Sequence, residues 1–348
     1  MKKFLCVTLC FCMLLGGGAL SIHANVEQPP ISIIEEDAVE EIMEFVSVDN
    51  TTGEVKYETL SYTPEVKIMT NGSIGNIHQG YVPESVMAIE SEGGITTRDI
   101  IGVDSRSKVT NTRNFPYSAI CCFDYEYIDS NGNLVQSGGT AWMIGPNIAV
   151  TSAHCVYDRA SGNHKNITAF WAGKKGEGNG WFNSHNPFGT TTVSHYKYPE
   201  RYETSSAVKY DWAVLILADE DLGYDTGWFS YGFRQSYPIN QAFTITGYPE
   251  EDEANDIEEY YMYTAGGVVC SWDADEYGTT YYHTVDTSGG QSGSPMYDAS
   301  YVVYGIHKGN ADKYDDAAPN FAVRITLEIY TCLERIGEIG DISDEVYP

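Results

Sequence analysis

Basic side chains are scarce in this chain of 348 residues: 20 Lys and Arg stand against 49 Asp and Glu, a formal net charge of −29. Binding to nucleic acid needs a basic face for the phosphates, so the balance excludes that class of partner. The acidic excess reads most simply as a solvated surface, since fields between exposed charges fade beyond ~8 Å at physiological salt. Metal-binding patterns are lacking as well. There is no Cys-x-x-Cys pair and no His-Glu-x-x-His, so neither a zinc site nor any other cofactor is expected. Asp273-Ala274-Asp275-Glu276-Tyr277-Gly278 begins like a calcium loop, but it puts Tyr277 at a ligand position and lacks the closing glutamate; it reads as an acidic turn.

Long apolar runs are missing beyond the N-terminus. Lys2-Lys3, an apolar run over residues 4–15, the small residues Gly16-Gly17-Gly18-Ala19 and then Ile22-His23-Ala24 have the layout of a secretory signal peptide over residues 1–24. The run is shorter than the ~20 residues a membrane span needs. The expectation is a secreted, extracellular protein with no membrane contact after signal removal. Cys6, Cys10 and Cys12 fall in that leader and leave Cys121, Cys122, Cys155, Cys270 and Cys332. An odd count means at least one free thiol or an intermolecular pair.

Residues 25–98 differ in composition from the rest of the chain. They hold 14 Asp or Glu against Lys56, Lys67 and Arg98, no cysteine, and only short apolar patterns such as residues 31–34 and 81–89. This reads as an acidic propeptide, with an accessory domain that stays attached as the alternative. From Asp99 onward the chain turns rich in Tyr, Gly, Val and Ile, in short apolar runs separated by turn clusters, the pattern of an all-β domain. Hairpins are expected around Asp129-Ser130-Asn131-Gly132-Asn133 and Gly145-Pro146-Asn147. Strands are expected over residues 208–217, 242–248, 295–297, 301–307 and 322–325. Residues 326–336 break the pattern: Ile329, Cys332, Leu333 and Ile336 recur at helical spacing, with Thr326 as N-cap. No internal repeat is present, which excludes a propeller or solenoid.

Three fragments carry chemistry. Gly289-Gly290-Gln291-Ser292-Gly293-Ser294-Pro295 sets a serine between glycines on a tight loop, as an acyl-transfer nucleophile requires. Thr151-Ser152-Ala153-His154-Cys155 follows an apolar run, and Asp211 opens another. Each alone has a plain reading, as a turn serine, a structural histidine and a strand-cap carboxylate. Together they stand in the order His, Asp, Ser, which is that of the chymotrypsin-type triad and of neither the subtilisins nor the α/β-hydrolases.

These fragments resemble the chymotrypsin-like serine peptidases, and more narrowly the bacterial glutamyl endopeptidase family, over most of residues 100–326. Ile100-Ile101-Gly102 with Asp104-Ser105-Arg106 is similar to that family's mature start, Trp142-Met143-Ile144-Gly145-Pro146 with Ala153-His154-Cys155 to its histidine block, and Gly290-Gln291-Ser292-Gly293-Ser294-Pro295 to its serine block. The resemblance implies two antiparallel β-barrels with the active site between them, a peptidase domain over residues 99–348, barrel one about 99–220 and barrel two about 221–348. It implies catalytic His154, Asp211 and Ser292, an oxyanion hole from the N–H groups of Gly290 and Ser292, and Thr287 with His307 gripping a substrate carboxylate. A partly protonated His307 would add charge assistance. Lys308 and Gly309 would begin the strand that pairs with the substrate backbone.

The implied activity is a secreted endopeptidase that cleaves protein or peptide substrates after glutamate and more slowly after aspartate; a monomer is expected. A broad or apolar-preferring peptidase on the same fold and a non-catalytic secreted binding homologue are the alternatives. Two departures stand out. The cysteine that commonly pairs with Cys155 is missing from Ser137-Gly138-Gly139-Thr140-Ala141, and Cys121 or Cys122 would substitute only at bonding distance. Gln291 stands where the animal enzymes carry the aspartate that captures a new N-terminus.

Overall fold

The computed structural model describes residues 40–64, 75–87, 104–176, 185–235, 239–250, 257–258, 260–272, 278–310 and 320–339. The leader over residues 1–24, the Arg98-Asp99 junction, Ile100-Ile101-Gly102 and the acidic turn at 273–277 lie outside them.

Nineteen strands form among the described residues. β1 (Glu41–Asp49), β2 (Val55–Tyr62) and β3 (Gly75–His78) precede the peptidase region. β4 (Ser107–Lys108), β5 (Ile120–Ile128), β6 (Leu134–Met143) and β7 (Ile148–Thr151) come next, then the short β8 (Tyr157–Asp158) and β9 (Asn163–His164). Farther along are β10 (Asn166–Ala172), β11 (Val193–Pro199), β12 (Ala213–Leu217), β13 (Ser230–Arg234) and β14 (Ala242–Gly247). The last are β15 (Tyr263–Trp272), β16 (Thr280–His283), β17 (Pro295–Tyr297), β18 (Val302–Asn310) and β19 (Asn320–Arg324).

They make two main sheets. The first runs β10-β5-β6-β7-β12-β11-β1-β2. The second runs β17-β14-β15-β16-β19-β18-β13-β3, and a β17–β18 pairing closes six of its strands into a barrel. Burial explains the strand chemistry. β12 is Ala-Val-Leu-Ile-Leu with every residue buried, so it reads as an unbroken apolar run instead of an alternation. The C-terminal helix spans Leu327–Ile339. Its buried stripe is Ile329, Cys332, Leu333 and Ile336, and the Ile329 N–H donates to the Thr326 hydroxyl at 3.3 Å, the capping bond expected from sequence.

The structure departs from the expected layout in two respects. The acidic segment contributes β1 and β2 to the first sheet and β3 to the second, with Phe45, Val46 and Leu60 fully buried. β4 pairs with β15, so the stretch expected to open barrel one is joined to the second sheet. The five cysteines after the leader are all free, four of them buried and Cys270 exposed.

Candidate active site

β7 and β12 are antiparallel neighbours with Thr151 opposite Ala213. The chain leaves β7 and enters β12 at the same end, which puts His154 and Asp211 side by side. His154 lies on a single 3-10 turn, Ala153–Cys155. Asp211 closes the turn Val208–Tyr210 just before β12. The Asp211 carboxylate, 1% exposed, accepts the His154 backbone N–H at 2.9 Å and faces its Nδ1 at 3.0 and 3.1 Å. Orientation of the ring is thus doubly set, since the backbone bond fixes where the carboxylate sits and the side-chain bond fixes the imidazole.

Ser292 sits between β16 and β17 on a loop stapled to the first sheet. The Thr140 N–H donates to the Ser292 carbonyl at 3.0 Å, and the Thr140 hydroxyl donates to the Gly290 carbonyl at 3.0 Å. Gly290 has φ +82°, and a Cβ there would lie 2.6 Å from the Tyr248 carbonyl. Gly293 has φ +90°, and a Cβ would overlap the Thr140 carbonyl and the Thr151 hydroxyl. Both positions need glycine for conformation and for space. Gln291 is fully buried, and its Oε1 accepts the Ser288 N–H at 2.9 Å. The buried Arg106 guanidinium reaches Ser288 and Gln291 from the segment that opens the peptidase region.

β18 supplies the opposite wall. The Ser292 hydroxyl donates to the Lys308 carbonyl at 3.1 Å. The Ser152 hydroxyl donates to the His307 carbonyl at 3.2 Å, and the His307 and Ser294 backbones pair at 2.9 Å. Register with β17 ends at Pro295 opposite Ile306. Past that point β18 keeps β19 on one side, Gly309 facing Phe321, and its other side is the one expected to take substrate.

Charge is arranged around the aspartate. Burial works against ionising Asp211, but the His154 ring and the Lys308 ammonium, 3.3 Å away, outweigh it and hold the carboxyl below its ordinary range. Burial also works against the His154 imidazolium, yet the Asp211 charge wins and pushes its pKa up. His307 differs. Burial, reinforced by the nearby His283 and His154, drives its pKa well below 6.5, so in the free protein the ring is neutral. The charge assistance expected from a partly protonated His307 is therefore corrected: at 1% exposure, water is too far away to stabilise the cation.

His283 is not singled out by the sequence, where its place in the alternation along β16 is the only signal. Its Nδ1 accepts the Val285 N–H at 3.3 Å, and its Nε2 lies 3.3 Å from His307 Nδ1. A backbone donor can only meet a bare Nδ1, so the His283 proton is on Nε2 and points at His307 Nδ1. The His307 proton is then on Nε2. The Lys308 ammonium is equally silent in the sequence, where the residue's expected role is that of its backbone alone.

Residues 139–306 match the trypsin-like peptidase domain. Over 241 residues the chain is 29% identical to a glutamyl endopeptidase of Bacillus licheniformis, covering 67% of each chain. A solved glutamyl endopeptidase in complex with MPD superimposes with a TM-score of 0.56 at 26% identity, covering 69% of this chain and all of that one. The chain is a serine endopeptidase with a trypsin-like fold. A glutamyl endopeptidase of Staphylococcus epidermidis is 26% identical, over 63% of this chain and 69% of its own. An extracellular metalloprotease of Bacillus subtilis is 28% identical over 68% of each. Among the described residues no group of three His, Cys, Asp or Glu is placed to hold a metal ion, and no helix is long and apolar enough to cross a membrane. As a serine endopeptidase, the protein acts on proteins or peptides.

Proposed function

We propose that this peptidase is secreted as a monomer and cleaves after glutamate, and more slowly after aspartate, through an acyl-enzyme. Ser292 is the nucleophile. His154 takes its proton and returns it to the leaving amine, and Asp211 holds the imidazole in one tautomer and stabilises the imidazolium. The Ser292 hydroxyl must turn from the Lys308 carbonyl toward His154, a side-chain rotation compatible with the looser hydrogen bonds of unliganded active sites. The N–H groups of Gly290 and Ser292 meet the oxyanion, each donor worth ~2.7–4 kcal/mol in comparable sites.

The observation that carries the glutamate reading is the proton order Val285 N–H, His283, His307. It leaves His307 with one bond accepted at Nδ1 and a single N–H, at Nε2, for a ligand. A neutral imidazole that is only a donor suits a carboxylate and gives a cationic side chain no acceptor. Thr287 adds a hydroxyl. Quenched peptides that differ only before the scissile bond test the reading: glutamate should be preferred by at least tenfold over glutamine, leucine and lysine. Equal rates across that panel would favour a broad-specificity peptidase, and absence of labelling by a serine-directed phosphonate would favour a binding homologue.

A further inference from the structure

We infer that the N-terminal strands β1, β2 and β3 stay bound to the peptidase after the chain is cut near Asp99, so that maturation nicks the N-terminal segment without releasing it. The inference uses the proposed cut and is independent of the glutamate reading.

The segment is built into both sheets. β1 pairs with β11 from Phe45 opposite Pro199 to Asp49 opposite His195. Its loss would turn β11 into an open edge. Phe45, fully buried, meets the ring of Trp212 edge-on at 5.6 Å between centroids. Trp212 follows Asp211, so the hairpin supports the strand entry that presents the carboxylate. The Lys197 ammonium, buried in β11, contacts Glu58 of β2 at 2.5 Å and the Ser47 hydroxyl of β1 at 3.3 Å. Departure of the hairpin would remove both contacts from a buried charge.

Asn50 bridges two strands of the first sheet. Its Nδ2 donates to the Ile167 and Val193 carbonyls at 2.8 and 3.0 Å, and its Oδ1 accepts the Ile167 N–H at 2.8 Å. One side chain from the acidic segment thus satisfies backbone groups of β10 and β11, which follow each other in the chain but are not neighbours in the strand order of the sheet. Farther on, β3 pairs with β13 from Gly75 to His78. His78 stacks on Tyr231 at 4.8 Å and reaches Glu334 of the C-terminal helix at 2.8 Å. Met43 touches Cys332 on the same helix. A segment that blocked the active site directly would contact the catalytic groups. Here the hydrogen bonds of His154, Asp211 and the Ser292 hydroxyl go to one another's elements or to Lys308, and among the described residues none goes to 40–87. Cutting the connection removes the effective concentration of a tether and leaves these contacts in place.

The test places a site for an unrelated, sequence-specific protease at Arg98 in the full chain carrying Ser292→Ala, which prevents self-digestion. The native protein is cut to completion and run on gel filtration and native mass spectrometry at micromolar concentration. The expected result is one species with the mass of the uncut protein, separable only in denaturant, and release of the N-terminal piece when the cut protein also carries Phe45→Ala and Asn50→Ala. Separation of the two pieces in native buffer, whether or not the remainder stays folded, overturns the inference. So does an unchanged association in the double variant.

Discussion

At the scale of single residues the chemistry turns on who holds which proton. Ser292→Ala and His154→Ala should each lower kcat by about 10⁶ and Asp211→Asn by about 10⁴, as for the members of such a unit, with the melting temperature of each variant checking that the fold survives. Lys308 allows a sharper prediction. Its ammonium competes with His154 for Asp211, which limits how far the carboxylate raises the imidazole pKa. The base must be deprotonated to act, so activity falls as pH drops through that pKa. Lys308→Met should strengthen the pull of Asp211 on the imidazolium and move the acid limb of the kcat/KM profile to higher pH; a limb that stays put or moves down contradicts the arrangement. His307 predicts a flat response. Its pKa lies well below 6.5, so it has no charge left to lose above neutrality. The ratio of rates on glutamate and glutamine peptides should therefore hold constant on the alkaline side, checked by measuring both peptides in parallel from neutral to alkaline pH.

At the scale of elements, legibility followed the turns. Asn131-Gly132 and the Gly145-Pro146-Asn147 cluster pointed to the hairpins β5–β6 and β6–β7, and the helical spacing after Thr326 pointed to the C-terminal helix. Thr326→Ala should lower stability by about 1 kcal/mol, measurable by denaturant unfolding. β11 and β16 were not legible, because Val-Ser-His-Tyr-Lys-Tyr-Pro and Thr-Tyr-Tyr-His hide buried polar side chains whose partners come from distant elements: Glu58 of the N-terminal hairpin for Lys197, and His307 of β18 for His283. The expected strand over residues 208–217 begins only at Ala213, since the chain must turn at Val208–Tyr210 to bring Asp211 against His154. The fragments around His154, Asp211 and Ser292 were legible because glycine-serine chemistry and strand-end carboxylates are local signals. The proton order behind His307 was not, because it depends on a bond between strands.

At the scale of the whole molecule, the change of composition near residue 99 suggested a boundary, whereas the strand order runs through it. Acidic surface residues and a buried strand face coexist in β1 and β2, so a count of charges described their outer side only. The two sheets meet at the proposed carboxylate site, where each hydrogen bond from a neutral side chain to the substrate charge is worth ~1.5–3 kcal/mol. The most direct measurement is kcat/KM on paired glutamate and glutamine peptides for the unmodified peptidase, Thr287→Val and His307→Leu. The unmodified protein should prefer glutamate strongly, and the preference should collapse in both variants while the slow cleavage of glutamine peptides persists. Equal rates on the two peptides before any substitution, or a preference untouched by both, would contradict it.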